Sequence, residues 1–412
     1  MTAVESPAVI SHCFFSMPGI VTVACKLLLK KNEELRVLAG HPWVFSNEIR
    51  EIIGKPAAGE IVELRTAGGI ALGVGMYHPH SLIAFRLLSE IPVEIDTQFF
   101  CSRLTRAAEL RTRLFPGETS YRLVHGESDF LPGLVIDRYN DLLVIQTFAQ
   151  GMDLRLDMIC DALEQLFHPS GIIERNESPL RTLENLPLRS GVLRGAVEPV
   201  EILEHGLRYR VDVRTGQKTG FFLDQRMNRP AIRPFARGGA RVLDCFCNDG
   251  GFSLHAAAAG ASTVLGIDSS ADAVSRAREN AALNGLTSVR FIEADVFKTL
   301  AAFAEQEKPF DVVVLDPPSF TRSRKNVPAA KKGYRELHAA ALKVLAPGGM
   351  LLTASCSHHI LPETFLEVVH ETGREMKRAI QLVEWRGASP DHPTLPAVPE
   401  TRYLKFGVFR VF

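Results

Sequence analysis

The stretch from residue 241 to 270, RVLDCFCNDGGFSLHAAAAGASTVLGIDSS, constrains the fold more than any other part of the chain. An apolar run ends at Asp244, a glycine turn and an alanine-rich segment follow, and a second apolar run ends at Asp268. This order predicts a buried strand, a tight turn, a helix and a second strand, which is the first unit of a nucleotide-binding α/β domain. The acid after the second strand is placed to accept hydrogen bonds from both hydroxyls of a bound ribose.

The glycine turn distinguishes between two classes of nucleotide ligand. A dinucleotide needs glycines spaced G-x-G-x-x-G so that its pyrophosphate can sit on the helix N-terminus, but Phe246 stands where the first glycine would be. Asp249 in the turn would repel a pyrophosphate, whereas it suits the ammonium group of an amino-acid-bearing nucleoside. We therefore favour S-adenosylmethionine, with NAD or FAD as the alternative ligand class.

The overall composition excludes several classes of protein. The 412 residues are enough for two or three domains, and Lys plus Arg equals Asp plus Glu at 47 each, so a nucleic-acid partner must be bound by a local patch. The seven cysteines form no C-x-x-C pair, which argues against a metal site and a disulfide scaffold and indicates a reduced, cytoplasmic setting. No apolar stretch is long enough to span a membrane, and residues 1–21, which lack a secretory signal, are interpreted as a disordered extension or a mis-called start.

The chain before the nucleotide unit divides into two sections. Short β-like runs separated by Gly, Pro and Asn predict a small β-barrel-like domain over residues 22–92, and mixed strands and helices predict a central α/β domain over 93–198. Trp43 and Phe45 fit the core of the first domain better than a surface that stacks bases, although both use aromatic residues. The polar and aromatic loop at 217–226 either closes over the ligand or is a plain linker.

Helices and strands continue to alternate to about residue 354, which predicts a parallel sheet with right-handed crossovers. Ligands and chemistry gather at the carboxyl ends of such strands, where the sequence places Asp244, Asp268, Asp295, Asp316 and Cys356. If the strands before Asp316 and Cys356 are neighbours, they lie about 5 Å apart, and the two side chains can converge on one small molecule.

A cysteine beside an acid suits the methylation of a pyrimidine carbon. Cytosine C5 is too electron-poor to attack a methyl sulfonium, but addition of the Cys356 thiolate to C6 makes C5 nucleophilic, and a carboxyl group at N3 stabilises the developing charge. A buried thiol without function is the ordinary interpretation of a single cysteine. The position of Cys356 opposite the turn that starts at Asp316 favours the catalytic interpretation.

Four motifs together resemble the large-subunit ribosomal RNA methyltransferase I family, whose members are S-adenosylmethionine-dependent RNA 5-methylcytosine methyltransferases. The motifs are residues 217–226, 244–252, 316–320 and 355–357. The resemblance implies an α/β protein with an N-terminal PUA domain at 22–92, a central α/β domain at 93–198 and a Rossmann-like methyltransferase domain at 199–412. It also implies an RNA substrate, specifically ribosomal RNA, and a cytoplasmic location without a membrane partner, and it leaves a homodimer open.

The resemblance further implies roles for individual residues. Cys356 is the expected nucleophile with Asp316 as its partner, Asp268 holds the ribose, and Asp295 with Val296 meets the adenine. The residues expected to bind the cofactor are Phe222, Asp224, Gln225, Asp244, Phe246, Asn248, Gly250, Gly251, Asp268, Ser269, Asp295, Val296 and Asp316. Ser319 stands where related enzymes place a second cysteine, so the group that removes the C5 proton is not identified.

The segment TRSRKNVPAAKKGYR, residues 321–335, directly follows the Asp-Pro-Pro turn and contains no acid. In a chain with zero net charge it is the best candidate for phosphate contact, whereas a solvated charged face is the ordinary interpretation. The basic residues expected to bind RNA are Arg322, Arg324, Lys325, Lys331, Lys332 and Arg335.

Two other functions remain open. An exocyclic-amine methyltransferase also uses an Asp-Pro-Pro-aromatic turn, but here the aromatic residue, Phe320, comes one place late and Cys356 would have no role. A non-catalytic RNA-binding assembly factor of the same fold would bind S-adenosylmethionine without turnover.

Overall fold

The computed structural model describes residues 23–306, 309–321 and 323–412 and divides into two compact units. The first unit comprises the described chain up to residue 200 together with 212–220 and 390–401, and the second comprises 201–211, 221–389 and 402–412. The extension expected over residues 1–21 lies outside the described residues. The three domain boundaries drawn from the sequence stay a prediction.

A six-stranded sheet forms the N-terminal part of the first unit. Its strands are β1 (Lys26–Leu29), β2 (Trp43–Phe45), β3 (Ile49–Ile53), β4 (Ile61–Arg65), β5 (Ala71–Tyr77) and β6 (Ile83–Ser89), with helix α1 (Glu34–Leu38) between β1 and β2. The spatial order is β2-β6-β5-β4-β1-β3. Successive side chains of a strand point to opposite faces, so Val44 enters the core while Trp43 and Phe45 stay half-buried. The predicted core position of these two aromatic residues is therefore wrong.

A five-stranded sheet with helices forms the rest of the first unit. Its elements are α2 (Thr97–Leu114), β7 (Ser120–His125), β8 (Leu134–Tyr139), β9 (Leu142–Thr147), α3 (Gln150–Asp153), α4 (Leu156–Phe167), β10 (Gly171–Asn176) and β11 (Arg189–Gly195). The strand order is β11-β10-β9-β8-β7. Helix α2 begins after Asp96, whose carboxylate accepts the Phe99 backbone N–H at 2.8 Å. It buries Phe100, Leu104 and Ala107, which recur at helical spacing.

The second unit contains the sheet that was predicted around residues 241–270. The hairpin β12 (Val200–Glu204) and β13 (Leu207–Val211) comes first. The sheet strands are β14 (Arg241–Cys245), β15 (Thr263–Asp268), β16 (Val289–Glu293), β17 (Phe310–Leu315), β18 (Leu345–Ser355), β19 (Ile380–Arg386) and β20 (Lys405–Val411). The helices are α5 (Arg233–Ala236), α6 (Gly251–Ala258), α7 (Ala271–Leu283), α8 (Val296–Ala304), α9 (Val327–Val344) and α10 (Pro362–Glu375).

Helices cover both faces of this sheet. Val242, Val312 and Val314 pack on the face with α5 and α6, while their neighbours Leu243 and Val313 pack on the face with α8, α9 and α10. Because both faces are buried, the strands are continuous apolar runs, which is why they are visible in the sequence. The mixed α/β architecture is confirmed.

The strand order β16-β15-β14-β17-β18-β20-β19 places the predicted site. Strands β14 to β18 are parallel, as predicted, and β20 runs antiparallel to both β18 and β19. β17 and β18 are neighbours, with Leu315 opposite Thr353, so the strands before Asp316 and Cys356 are adjacent as the sequence analysis expected.

None of the helices in the described residues has the length and apolar character of a membrane span. Within the same residues, no group of three or more His, Cys, Asp and Glu side chains is arranged to hold a metal ion.

Candidate active site

The turn between β14 and α6 is shaped by backbone conformations that few side chains tolerate. Phe246, Asn248 and Gly250 have φ values of 63°, 45° and 84°. A Cβ atom on Gly250 would lie 2.8 Å from side-chain atoms of Leu254 and Phe291, so this position also lacks room for a side chain. The turn therefore depends on glycine at position 250, because Leu254 and Phe291 pack directly against it.

Asp244 is buried where β14 ends, and its carboxylate fixes the first turn of α6. The backbone N–H and the hydroxyl group of Ser253 donate to Oδ2 at 2.9 and 2.7 Å. Burial raises the pKa of Asp244 to about 7, and the nearby charges of Asp316 and Asp268 add to the increase. Its Oδ1 is buried and accepts no hydrogen bond from the described residues. A buried acceptor of this kind fits a cationic group of a ligand.

Asp249 does not have the open carboxylate that the sequence analysis expected. Its Oδ1 accepts a hydrogen bond from Arg276 Nε at 2.7 Å, and both side chains are largely buried. The negative charge is therefore already paired with an arginine of α7. Asp244, not Asp249, is the acid of this turn with an unpaired buried acceptor atom.

Asp268 lies at the end of β15 and holds the backbone of two turns. Its Oδ2 accepts the Asn248 N–H and its Oδ1 accepts the Ser270 N–H, both at 2.9 Å. Each carboxylate oxygen has a second lone pair, so hydrogen bonds from ribose hydroxyls remain compatible with these contacts. Ser269, between the two turns, is exposed.

Asp295 and Val296 begin the helix that follows β16. The Asp295 carboxylate caps α8 by accepting the Lys298 N–H at 2.9 Å, whereas Val296 is buried. The expected contact of both residues with adenine remains a prediction, and it would have to coexist with this capping bond.

The loop over residues 222–225 contacts the Asp-Pro-Pro turn. Gln225 Nε2 donates to Asp316 Oδ2 at 3.0 Å, and Asn228 Nδ2 donates to the Gln225 amide oxygen at 2.7 Å. The Tyr403 hydroxyl donates to the Asp224 carboxylate at 2.6 Å. These contacts tie this part of the loop to Asp316 and Tyr403, and the choice between a ligand-closing loop and a plain linker stays a prediction. Asn228 and Tyr403 were not identified from the sequence, since neither belongs to a motif.

A network of hydroxyl groups joins the turn after β17 to the turn after β18. The Tyr334 hydroxyl donates to Ser355 Oγ at 2.8 Å and lies 3.3 Å from Ser357 Oγ, which in turn lies 3.1 Å from Ser319 Oγ. The Phe320 backbone N–H also donates to Ser357 Oγ, at 3.2 Å. The network thus fixes the two turns that contain Asp316 and Cys356.

The Tyr334 phenol lies against the turn that contains Cys356. Burial raises the pKa of Tyr334 to about 12, and the charges of Cys356 and Asp316 both contribute to the increase. The phenol therefore stays neutral at physiological pH, and its hydroxyl lies beside Ser355 and Ser357, the two chain neighbours of Cys356. Tyr334 lies on α9 and belongs to no motif, so it could not be identified from the sequence.

The basic segment is only partly available to an RNA backbone. Lys331 pairs with Glu367 at 2.9 Å, Arg335 pairs with Glu371, and Lys332 lies 3.8 Å from Glu336. Arg324 and Lys325 are exposed in the short turn before α9, and Arg322 lies outside the described residues. The expectation that these residues bind RNA stays a prediction, and the ion pairs make Arg324 and Lys325 its best exposed candidates.

Known proteins with similar sequences are methyltransferases, in agreement with the glycine turn and the acids at the ends of these strands. A model of S-adenosylmethionine-dependent methyltransferases matches residues 122–410, and a PUA-like domain model matches residues 27–90. Ribosomal RNA large subunit methyltransferase I of Aeromonas hydrophila is 41% identical over 396 residues, which are 94% of this chain and 100% of the relative. The protein of the same name from Shewanella denitrificans is 41% identical over 398 residues, which are 95% and 100% of the two chains.

Solved structures share the fold over most of the chain. A methyltransferase from Streptococcus mutans has a TM-score of 0.79 at 22% identity, with 93% of this chain and 99% of that chain covered. A methyltransferase solved with S-adenosylhomocysteine has a TM-score of 0.81 at the same identity and coverage. S-adenosylmethionine is the cofactor, and the tight glycine turn with the unpaired Asp244 oxygen fits it. Since the relatives align over almost their whole length, the chain belongs to the ribosomal RNA large subunit methyltransferase I family of S-adenosylmethionine-dependent methyltransferases.

Proposed function

We propose that the protein methylates C5 of a cytosine in RNA, specifically in large-subunit ribosomal RNA, through a covalent adduct between Cys356 and C6. The main support is that the adjacent parallel strands β17 and β18 lead directly into Asp316 and Cys356, and that the Tyr334 hydroxyl donates to Ser355, the residue before Cys356. The names of the relatives support ribosomal RNA as the substrate.

The turns after β14, β15 and β16 would hold the cofactor. Asp268 would accept hydrogen bonds from the ribose, Asp295 and Val296 would meet the adenine, and the open Oδ1 of Asp244 would accept the ammonium group. S-adenosylmethionine supplies, when bound, the methyl group that C5 receives.

Cys356 and Asp316 would activate the base. The thiolate adds to C6, the C5=C6 electron pair moves toward N3, and the Asp316 carboxyl group stabilises that charge. C5 then acts as the nucleophile that takes the methyl group. Loss of the C5 proton to a base returns the electron pair to C5=C6 and releases the thiolate, so the adduct is transient.

The position of Phe320 favours this chemistry over methylation of an exocyclic amine. An amine methyltransferase needs the aromatic residue of the Asp-Pro-Pro turn to stack on the target base. Here the Phe320 ring packs on the Tyr334 ring, with centroids 4.5 Å apart, and a Cβ atom on Gly333 would lie 3.1 Å from it. Phe320 is therefore committed to packing against α9.

Nucleoside analysis tests the proposed reaction. We expect 5-methylcytosine to appear when the purified protein is incubated with S-adenosylmethionine and large-subunit ribosomal RNA that lacks the modification. Mass spectrometry of the digested RNA distinguishes this product from N4-methylcytosine by its fragmentation. A methylated amine would contradict the mechanism, and cofactor binding without any product would favour the assembly-factor alternative.

The exposed basic residues give a second prediction. Arg324→Ala combined with Lys325→Ala should weaken RNA binding and lower its salt slope by about 1.5, since each lost phosphate contact contributes about 0.7 to 0.9. Filter binding at several salt concentrations measures both quantities. Lys331→Ala with Arg335→Ala is the matched control, because ion pairs with α10 already engage these side chains. An equal loss in both double variants would show that the exposed pair has no special role.

Two further expectations concern the cellular location and the oligomeric state of the protein. A cytoplasmic location is expected from the cysteine usage and from the RNA substrate, and it remains a prediction. A homodimer also remains open, and light scattering of the purified protein would decide it.

A further inference from the structure

Lys405 is a buried lysine beside the turn that contains Cys356. It is the first residue of β20 and lies directly opposite Ser355 in the antiparallel pair with β18. Only 3% of its surface is exposed. Buried lysines are rare unless a specific partner stabilises their charge, so this position calls for an explanation.

Backbone carbonyl groups hold the Lys405 side chain in place. Its Nζ donates to the carbonyl oxygen of Ser357 and to that of Tyr403, each at 2.7 Å. The first of these carbonyls belongs to the residue immediately after Cys356. Among the described residues, no carboxylate lies within ion-pair distance of this ammonium group. Two neutral carbonyl groups only partly compensate a buried charge.

The missing negative charge can be supplied by Cys356. Burial lowers the pKa of Lys405 to about 8, and the interaction with Cys356 acts in the opposite direction by favouring the charged lysine. An electrostatic interaction between two groups is mutual. Because Lys405 Nζ donates to the carbonyl group of Ser357, the residue next to Cys356, the lysine cation is placed to favour the ionised form of the cysteine.

We propose that Lys405 is a positioning residue for Cys356: its ammonium group fixes the turn through the Ser357 carbonyl and stabilises the Cys356 thiolate. The inference rests on the proposed function, in which Cys356 is the nucleophile. It also gives a reason why a thiol beside an aspartate can be ionised at neutral pH, since the thiolate is the form that adds to C6.

Other groups near the thiol have different effects. The Asp316 carboxylate disfavours a second negative charge, while the Tyr334 phenol stays neutral. Tyr403, whose backbone carbonyl accepts from Lys405, donates its hydroxyl to Asp224. The centroid of its ring lies 5.5 Å from that of His358. His358 is exposed. Lys405 supplies the opposing positive charge at neutral pH.

The ionisation of the Cys356 thiol is the direct test. We expect the pH midpoint of Cys356 alkylation by iodoacetamide, followed by mass spectrometry of its peptide, to rise by at least one pH unit in Lys405→Met. Reactivity at pH 7 should fall about tenfold. Lys405→Arg keeps the charge and should stay near the wild-type midpoint. Lys343→Met, an exposed lysine of α9, is the matched control, and half-buried Cys25 is the reference thiol in every sample.

An unchanged midpoint in folded Lys405→Met would overturn the inference. If that variant does not fold, the wild-type protein alone decides: a Cys356 midpoint at or above that of an ordinary thiol, about 8.5, overturns the inference, and a lower one supports it. Alkylation needs neither RNA nor methyl transfer. A shifted thiol in a protein that never forms an RNA adduct would therefore defeat the proposed function alone, and an RNA adduct with an unshifted thiol would defeat only the role of Lys405.

Discussion

Cys356→Ala is expected to abolish methyl transfer to RNA and to leave S-adenosylmethionine binding nearly unchanged. Methylation at C5 requires a nucleophile at C6, and no rate remains when the thiol is absent, whereas methylation at nitrogen requires no adduct. The groups proposed to hold the cofactor lie on the turns after β14, β15 and β16, so removal of the thiol after β18 does not change them. Calorimetric titration and a methyl-transfer assay measure the two effects separately.

A trapping experiment makes this prediction sharper. RNA with 5-fluorocytosine at the target should remain attached to the wild-type protein. Fluorine replaces the C5 proton and cannot be removed by a base, so elimination of the thiolate stalls. Cys356→Ala and Cys356→Ser should form no such adduct in a denaturing gel. Cys25→Ala, which removes a half-buried cysteine outside the site, should be trapped like the wild type. A Cys356→Ala protein that still methylates RNA would exclude the adduct mechanism and favour the exocyclic-amine alternative.

Asp268→Ala should weaken S-adenosylmethionine binding by about 2–3 kcal/mol, which corresponds to roughly 30- to 150-fold in Kd. The variant loses the proposed hydrogen bonds to the ribose. It also loses the acceptor that holds the Asn248 and Ser270 N–H groups, so the glycine turn is less well ordered for binding. Isothermal titration calorimetry measures the affinity directly.

Two further variants separate the causes of this loss. Asp268→Asn keeps one acceptor oxygen and should lose less affinity than Asp268→Ala. Asp272→Ala removes an exposed acid from the first turn of α7 and should bind the cofactor normally. Unchanged affinity in Asp268→Ala would refute the ribose assignment.

The sequence by itself determined the five parallel strands β14 to β18 of the methyltransferase sheet and the order in which their turns present polar residues, but not the antiparallel strands β19 and β20. β14, β15 and β17 are buried on both faces and therefore appear as apolar runs that end at Asp244, Asp268 and Asp316. The adjacency of the strands that precede Asp316 and Cys356 was also predictable, because consecutive parallel strands with a right-handed crossover are often neighbours.

Only the tertiary structure decided which charged side chains are already paired and which of them reach a distant turn. Asp249 is paired with Arg276, Lys331 pairs with Glu367, and Lys405 reaches the Cys356 turn from the antiparallel strand β20. Local periodicity predicts which face of an element is buried, but not which residue of a distant element lies opposite a given side chain. That choice depends on the register and rotation of packed elements, which are set by the fit of whole surfaces rather than by any short run of sequence.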